Sequence, residues 1–207
     1  MKKILFTLFT LIMFTHVFAY ENKFFKVELP DSYKQTVNET NMFKWVKDNN
    51  YLAITISDNT KLKYNVVEFK DEDLVTQKEY LEKGINDGLK KYEITAEVSN
   101  INKVTKNNTT YLEYDVFYPS KEITGYDTHQ KGRMYTTNKY ITTVIFNSDK
   151  EIKEDNQEYQ NIMNSLTILD SDIVIKTITI KDYIIAIVLV GVIAGIIGAI
   201  ISQKKKK

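Results

Sequence analysis

An α+β fold, an antiparallel sheet flanked by helices, follows from three features of these 207 residues. Apolar residues between 24 and 147 recur mostly with the period of two that marks a half-buried strand. Two stretches switch to a period near 3.6, the signature of an amphipathic helix. Short polar, turn-forming runs separate the strands, so that neighbours in sequence can pair as hairpins.

Phe24 to Leu29 is the opening strand, with Phe25, Val27 and Leu29 on one face and Pro30-Asp31 ending it. Met42 to Val46 and Tyr51 to Ile56 form a hairpin around Lys47-Asp48-Asn49-Asn50. In the second of these, Leu52, Ile54 and Ile56 alternate with Tyr51, Ala53 and Thr55. Leu62 to Phe69 reads as a fourth strand with Val67 and Phe69 as its buried pair.

The period then changes. Thr76-Gln77-Lys78-Glu79 has the form of a capping box, in which the Thr oxygen and Glu carboxylate satisfy free N–H groups at a helix start. Behind it Leu81, Ile85 and Leu89 fall four apart, a single apolar stripe joined by Tyr80. Gly84 and Gly88 lower the helix preference by about 1 kcal/mol each relative to Ala. Their spacing of four favours close packing of this helix on a sheet. Asp71-Glu72-Asp73 lacks the spaced oxygens, central Gly and closing Glu of a calcium loop. The run instead favours the positive end of the helix that follows.

Strand pattern resumes from Ile94 to Val104, and Lys106-Asn107-Asn108-Thr109 turns the chain into Tyr111 to Tyr118. There Leu112, Tyr114, Val116 and Tyr118 oppose Tyr111, Glu113, Asp115 and Phe117. Lys121 to Gly132 is polar and reads as a loop. Gly132 to Thr137 and Tyr140 to Asn147 make a last hairpin around Asn138-Lys139. A final helix runs near Glu154 to Ser165, with Tyr159, Ile162, Met163 and Leu166 inward.

The two ends predict placement. Residues 183–202 contain no charge, and twelve of the twenty are Ile, Val or Leu. As a helix they would be roughly 30 Å long, the thickness of a bilayer core. The large aliphatics contribute about −5 kcal/mol at roughly −0.4 each on an insertion scale. At the other end Lys2-Lys3, an apolar Ile4 to Phe14 and Val17-Phe18-Ala19 form a signal-peptide pattern with cleavage after Ala19. The alternative is an uncleaved N-terminal anchor. The expected organisation is a signal peptide at 1–19, an extracytoplasmic domain at 20–169, a stalk at 170–182, a transmembrane helix at 183–202 and a cytoplasmic lysine tail at 203–207. Alternating Ile173, Ile175, Ile178 and Ile180 leave an edge strand as a second reading of the stalk.

Composition narrows the function classes. The portion 20–182 holds all 27 acidic residues but only 22 of the 28 basic ones, so it carries about −5 and disfavours nucleic acid as a partner. With no cysteine there is no disulfide, no lipidated cysteine and no thiolate metal site. The Lys, Asn, Ile and Tyr bias suits an AT-rich bacterial genome. No cofactor and no metal site is expected.

Two candidate sites emerge. Gly191, Gly195 and Ala199 repeat every four residues, and Ala194 with Gly198 forms a parallel pair. Small residues at this spacing let two helices approach within a membrane, which predicts self-association or pairing with another membrane protein. Tyr126, His129 and Arg133, which include the sole Arg, are expected to form a partner-binding loop, since aromatic and Arg side chains dominate interfaces. His129 has no Gly-x-Ser-x-Gly nucleophile turn to serve, and no catalytic residue is assigned.

Phe24-Phe25-Lys26-Val27-Glu28-Leu29-Pro30-Asp31-Ser32-Tyr33 resembles the opening strand, Pro and following aromatic of PsbP-like domains. The strands leading into the Thr76 to Lys91 helix are similar too, as is the last helix running into Ile162-Met163-Asn164-Ser165-Leu166-Thr167-Ile168. That family includes the extrinsic photosystem II protein and exported bacterial relatives. The resemblance, over about residues 23 to 169, implies an α/β/α sandwich used for binding or assembly. No metal-binding or photosystem-binding residue of the family matches here. The resulting expectation is a non-enzymatic, membrane-anchored extracytoplasmic domain that binds or organises another component of a bacterial envelope. The alternatives are an accessory subunit held in a membrane complex by its helix, and an envelope hydrolase using unidentified carboxylates.

Overall fold

Ten strands and three helices make up the computed structural model, which describes residues 17–169. The stalk, the apolar segment with its small-residue repeat, and the lysine tail lie outside the described residues, as does the leader before Val17.

Two sheets carry the fold. The smaller has the order β1 (Val17–Glu21), β2 (Phe25–Pro30) and β10 (Thr167–Ile168), all antiparallel. The larger has seven antiparallel strands. Their order is β3 (Lys34–Asn38), β4 (Met42–Lys47), β5 (Asn50–Asp58), β9 (Tyr140–Ser148), β8 (Thr128–Thr136), β7 (Thr109–Tyr118) and β6 (Glu97–Lys106). Two of the expected hairpins close as the turn chemistry requires. Asn107 and Asn108 both adopt positive φ, 50° and 60°, which a two-residue type I′ turn demands and which Asn tolerates. Asp48 at φ 51° serves the β4–β5 turn in the same way. Both outer strands of the large sheet are irregular, with register shifts between Gln35 and Val37 and between Ser99 and Asn102. Such bulges twist an open edge away from further pairing.

The large sheet is covered on both faces. On the first face the core comprises Ala53, Val66, Leu81, Ile85, Leu89, Leu112, Val116 and Ile145, under helix α1 (Asp71–Leu89) and the segment before it. On the second face Trp45, Leu52, Ile54, Val144 and Phe146 pack against Phe25, Val27 and Leu29 of the small sheet. Tyr159, Ile162 and Met163 of α3 (Gln157–Ser165) complete that core. Each fully buried aliphatic contributes roughly 1.5–3 kcal/mol, so neither layer is dispensable. The central strands are therefore buried on both sides, and Leu52, Ile54 and Ile56 share that fate with Tyr51, Ala53 and Thr55.

Several expectations need correction. Leu62 to Phe69 is not a strand. It is a turn followed by a 3-10 turn at Val66–Glu68 that Asn65 caps by accepting from the Val67 N–H. Val66 and Phe69 are buried, while Val67 points outward at 38% exposure. Asn59 holds this segment in place. Its amide donates to the Tyr64 and Thr137 carbonyls at 2.8 and 2.6 Å and accepts from the Tyr64 N–H. Helix α1 starts at Asp71, so Thr76 lies inside it, and the Asp73 carboxylate accepts from the Lys70 N–H at 2.8 Å. The stretch from Lys121 to Gly132 is not one loop. A single helical turn, α2 (Lys121–Thr124), and Gly125 at φ 88° lead directly into β8. The last helix begins at Gln157 rather than near Glu154, because Asn156 is its N-cap and accepts from the Tyr159 N–H at 2.9 Å.

β1 bears on processing. Ala19 pairs with Glu28, and Phe18 and Tyr20 turn toward the second core, so a cut after Ala19 falls within the strand. Tyr20 would then be the first residue, with its ring 5.0 Å from Trp45 and 5.9 Å from Phe43.

Candidate functional site

The three residues expected to form one partner-binding loop do not come together. Strand β8 places His129, Lys131, Arg133 and Tyr135 on the second face, each opposite a residue of β7. His129 stacks on Phe117 with ring centroids 5.1 Å apart, and Tyr135 lies 5.0 Å from Tyr111. Between these aromatic pairs Lys131 meets Asp115 at 2.9 Å and Arg133 meets Glu113 at 2.6 Å. Four cross-strand pairs thus form one ladder.

Helix α3 and the segment before it close over the ladder. Lys131 also reaches Glu154 at 2.8 Å. Arg133 donates to the Met163 carbonyl at 3.1 Å, and the Tyr159 hydroxyl donates to Glu113 at 3.3 Å. The guanidinium lies 4.9 Å from the Tyr111 centroid and 5.8 Å from that of Tyr159. Its side chain is 8% exposed, so Arg133 is a packing element and presents nothing to a partner. Burial pulls the Lys131 ammonium down, but the hydrogen bonds it donates to Glu154 and Asp115 outweigh that and hold the group above its usual value. Burial raises the Tyr135 phenol to about 12, against the nearby Arg133. Tyr126 is half-buried beyond α2, near enough to Tyr51 to raise that phenol further after burial itself.

The first face holds a second polar array that sequence reasoning missed. It runs across β4, β5, β9, β8 and β7 and rests on the register that sets Tyr51 against Asn147 and Asn147 against Gln130. The Lys44 ammonium lies 4.5 Å from the centroid of Tyr51. The Tyr51 hydroxyl accepts a hydrogen bond from Asn147 Nδ2. Next to Asn147, Gln130 accepts from the Tyr118 hydroxyl at 2.9 Å. The far end of the Tyr114 ring crowds Gly132 so tightly that a Cβ on residue 132 would come within 2.2 Å of its Cζ.

This array is unsatisfied. Among the described residues, Asn147 Oδ1, Gln130 Nε2 and the Tyr114 hydroxyl are buried without a hydrogen-bond partner. Lys44 is 8% exposed and forms no ion pair among the described residues. Desolvation alone lowers its ammonium below the usual lysine value. Buried polar groups normally find partners, and each unmet one costs roughly 1–3 kcal/mol. Asn147, Gln130 and Tyr114 stand on the adjacent strands β9, β8 and β7, while Asn22, Tyr33, Trp45, Asn50 and Gln77 each carry such an atom elsewhere among the described residues. In sequence the only hint is polar residues, Lys44, Gln130 and Asn147, at positions that the strand period turns inward.

No protein-family model and no curated protein sequence matches this chain. Solved structures similar to it include a protein from Bacteroides thetaiotaomicron VPI-5482, at TM-score 0.41 and 11% identity over 70% of this chain. This chain spans only 44% of that protein's length. Another is the solution structure of cyanobacterial PsbP from Synechocystis sp. PCC 6803, at TM-score 0.47 and 13% identity, covering 76% of this chain and 95% of the other. A third is a protein of unknown function, PA94 from Pseudomonas aeruginosa, at TM-score 0.32 and 12% identity, covering 64% and 83%. No residue role passes to this chain from likenesses of this size.

Proposed function

We propose that this protein is a binding domain rather than an enzyme, displayed outside a bacterial cytoplasmic membrane and tethered by residues 183–202. The observation that carries the binding reading is the unsatisfied array on the first face. Asn147, Gln130 and Tyr114 each keep a buried polar atom without a partner on adjacent strands, beside Lys44, at a cost in stability that a recognition role would explain. By contrast, the ionic groups of the second face, Arg133 with Glu113 and Lys131 with Asp115 and Glu154, are engaged with one another and with α3 or the segment before it. The tether reading rests on the uncharged run 183–202 and the four lysines after it, whose excess suits the cytoplasmic side.

Protease added to sealed, wall-stripped cells tests the placement. The domain is expected to be degraded from outside while the lysine tail stays protected. A domain that resists until the cells are lysed rules the placement out. Crosslinking in intact cells then identifies what the domain engages.

The small-residue repeat supports a second reading, an accessory subunit assembled through its helix. In a membrane reporter assay Gly195→Ile is expected to reduce association of that segment, because a branched side chain holds two helix backbones apart. Unchanged association removes this reading.

A further inference from the structure

We propose that the end of the domain at which residue 169 leaves it is a membrane-facing surface that binds anionic phospholipid headgroups. The inference rests on the tether reading and deepens it, since it fixes which way the domain stands on its anchor. Both sheets and the exit of the chain share that end. The Leu169 N–H, just after β10, donates to the Phe24 carbonyl at 2.9 Å, and the Phe24 ring meets Tyr140, the first residue of β9, edge-on at 5.0 Å. Tyr140 in turn faces Asp58, the last residue of β5, and the Asn59 N–H donates to the Lys139 carbonyl at 2.8 Å. The β3–β4 turn joins them at Asn41, whose carbonyl accepts from the Ile56 N–H.

That end is basic on an acidic protein. Lys23, Lys61, Lys63 and Lys139 are exposed on its loops, and Lys106, whose ammonium also holds Asn164 at 2.9 Å, stands at the β6–β7 turn. The carboxylates among them are Glu21, Glu39 and Asp58, and Asp58 is occupied with the Thr60 N–H and hydroxyl, both at 2.7 Å. Five cations against three anions leave about +2 here, while the portion 20–182 as a whole carries about −5. The acidic start of α1 is set back on the first face, where Lys103 of β6 donates to the Phe69 carbonyl. A negative surface therefore attracts this end and repels the rest, which orients the domain as well as binding it.

Lipid phosphate is the anion within reach. Residues 170–182 span at most about 45 Å when fully extended, so a membrane entered at residue 183 lies within that distance of Leu169. Tethering at such range keeps headgroups at an effective concentration of roughly millimolar or more, where individually weak contacts count. A lysine close to an anionic membrane raises the bound population roughly fivefold, and the attraction fades within about 8 Å at physiological salt. Apolar atoms accompany the cations. Leu169 is 41% exposed, and Tyr140 and Leu62 are half-buried at the same end. Tyrosine, aliphatic side chains and lysines together make the composition that sits at a membrane–water boundary.

The test uses the full chain in lipid nanodiscs, with amide NMR and a lipid spin-labelled on its headgroup. One set of discs is phosphatidylcholine alone, and the other also contains phosphatidylglycerol. With phosphatidylglycerol, amides of residues 60–63 and 138–140 are expected to broaden, while those of 149–155, at the opposite end of the strands, stay sharp. The contrast is expected to vanish in phosphatidylcholine alone, and in about 1 M salt, where charges are screened within roughly 3 Å. Lys61→Gln, Lys63→Gln and Lys139→Gln combined are expected to cut the membrane-bound population roughly tenfold or more. All three side chains are exposed, and unchanged core resonances report that the variant is folded. Equal broadening of both ends overturns the proposal. So does broadening that ignores phosphatidylglycerol or survives the triple replacement. A chain that fails to co-elute with the discs removes the tether reading and this proposal with it; a chain that co-elutes without the contrast removes this proposal alone.

Discussion

Replacing Arg133 by Met removes a cation that β7, β8 and α3 share. The change leaves Glu113 facing only the Tyr159 hydroxyl and frees the Met163 carbonyl of its guanidinium donor. Breaking a buried ion pair from one side costs about 3–5 kcal/mol, because the remaining charge stays desolvated. Glu113 is 23% exposed, so water reaches it in part, and the lower end of that range, about 3 kcal/mol, is expected. Converting both partners, Arg133→Met with Glu113→Met, removes the stranded charge and is expected to fall within about 1–2 kcal/mol of the native chain. The single Trp, Trp45, is fully buried in the core on the same face and reports unfolding in urea by fluorescence. A single-mutant loss below about 1 kcal/mol would refute the pairing argument. So would a double mutant as unstable as the sum of its parts.

Further outcomes follow from the same geometry. Lys44→Met is expected to stabilise the fold at neutral pH by about 1 kcal/mol, since it replaces a desolvated charge with apolar atoms; a lower urea midpoint would contradict this. Gly132→Ala is expected to destabilise by about 1–3 kcal/mol through collision with Tyr114, and Tyr114→Leu on the same chain to recover most of that loss; additive losses would show that the collision is not the cause. The Lys131 ammonium titrates higher in the folded chain than its ordinary 10.5, so its ion pairs contribute fully below that pH and are lost as pH rises through the folded value. Lys131→Met should therefore flatten the fall in stability above pH 10.5 and leave the slope near neutrality unchanged, as urea titrations across pH can measure.

Much of the α+β organisation was legible before any coordinates. The β2 alternation of Phe25, Val27 and Leu29, the Asn107-Asn108 turn and the Leu81, Ile85, Leu89 stripe are local patterns. Each depends on residues a few positions apart, so a single sequence displays them. The misreadings have a common origin. Residues 62–69 carry enough apolar character for a strand, yet Asn59 draws their backbone into a turn through partners at Tyr64 and Thr137. Residues 128–131 look like loop because their polar side chains belong to a cross-strand ladder whose partners lie on β7. Arg133 looked like an interface residue for the same reason: the carboxylate and the tyrosines that absorb it lie 20 or more residues away.

The division is physical. Alternation and turn residues are properties of adjacent residues, and they were enough to predict strands and helices; the tether expected from the uncharged run near the C-terminus lies outside the described residues. Which polar side chains meet, and which are left without partners, depends on strand order. Only the sequence β4-β5-β9-β8-β7 across the sheet brings Lys44 to the same face as Gln130 and Asn147. Hydrogen bonds and ion pairs act over a few ångströms of space rather than along the chain, so that array exists only once the sheet has closed between its two covering layers.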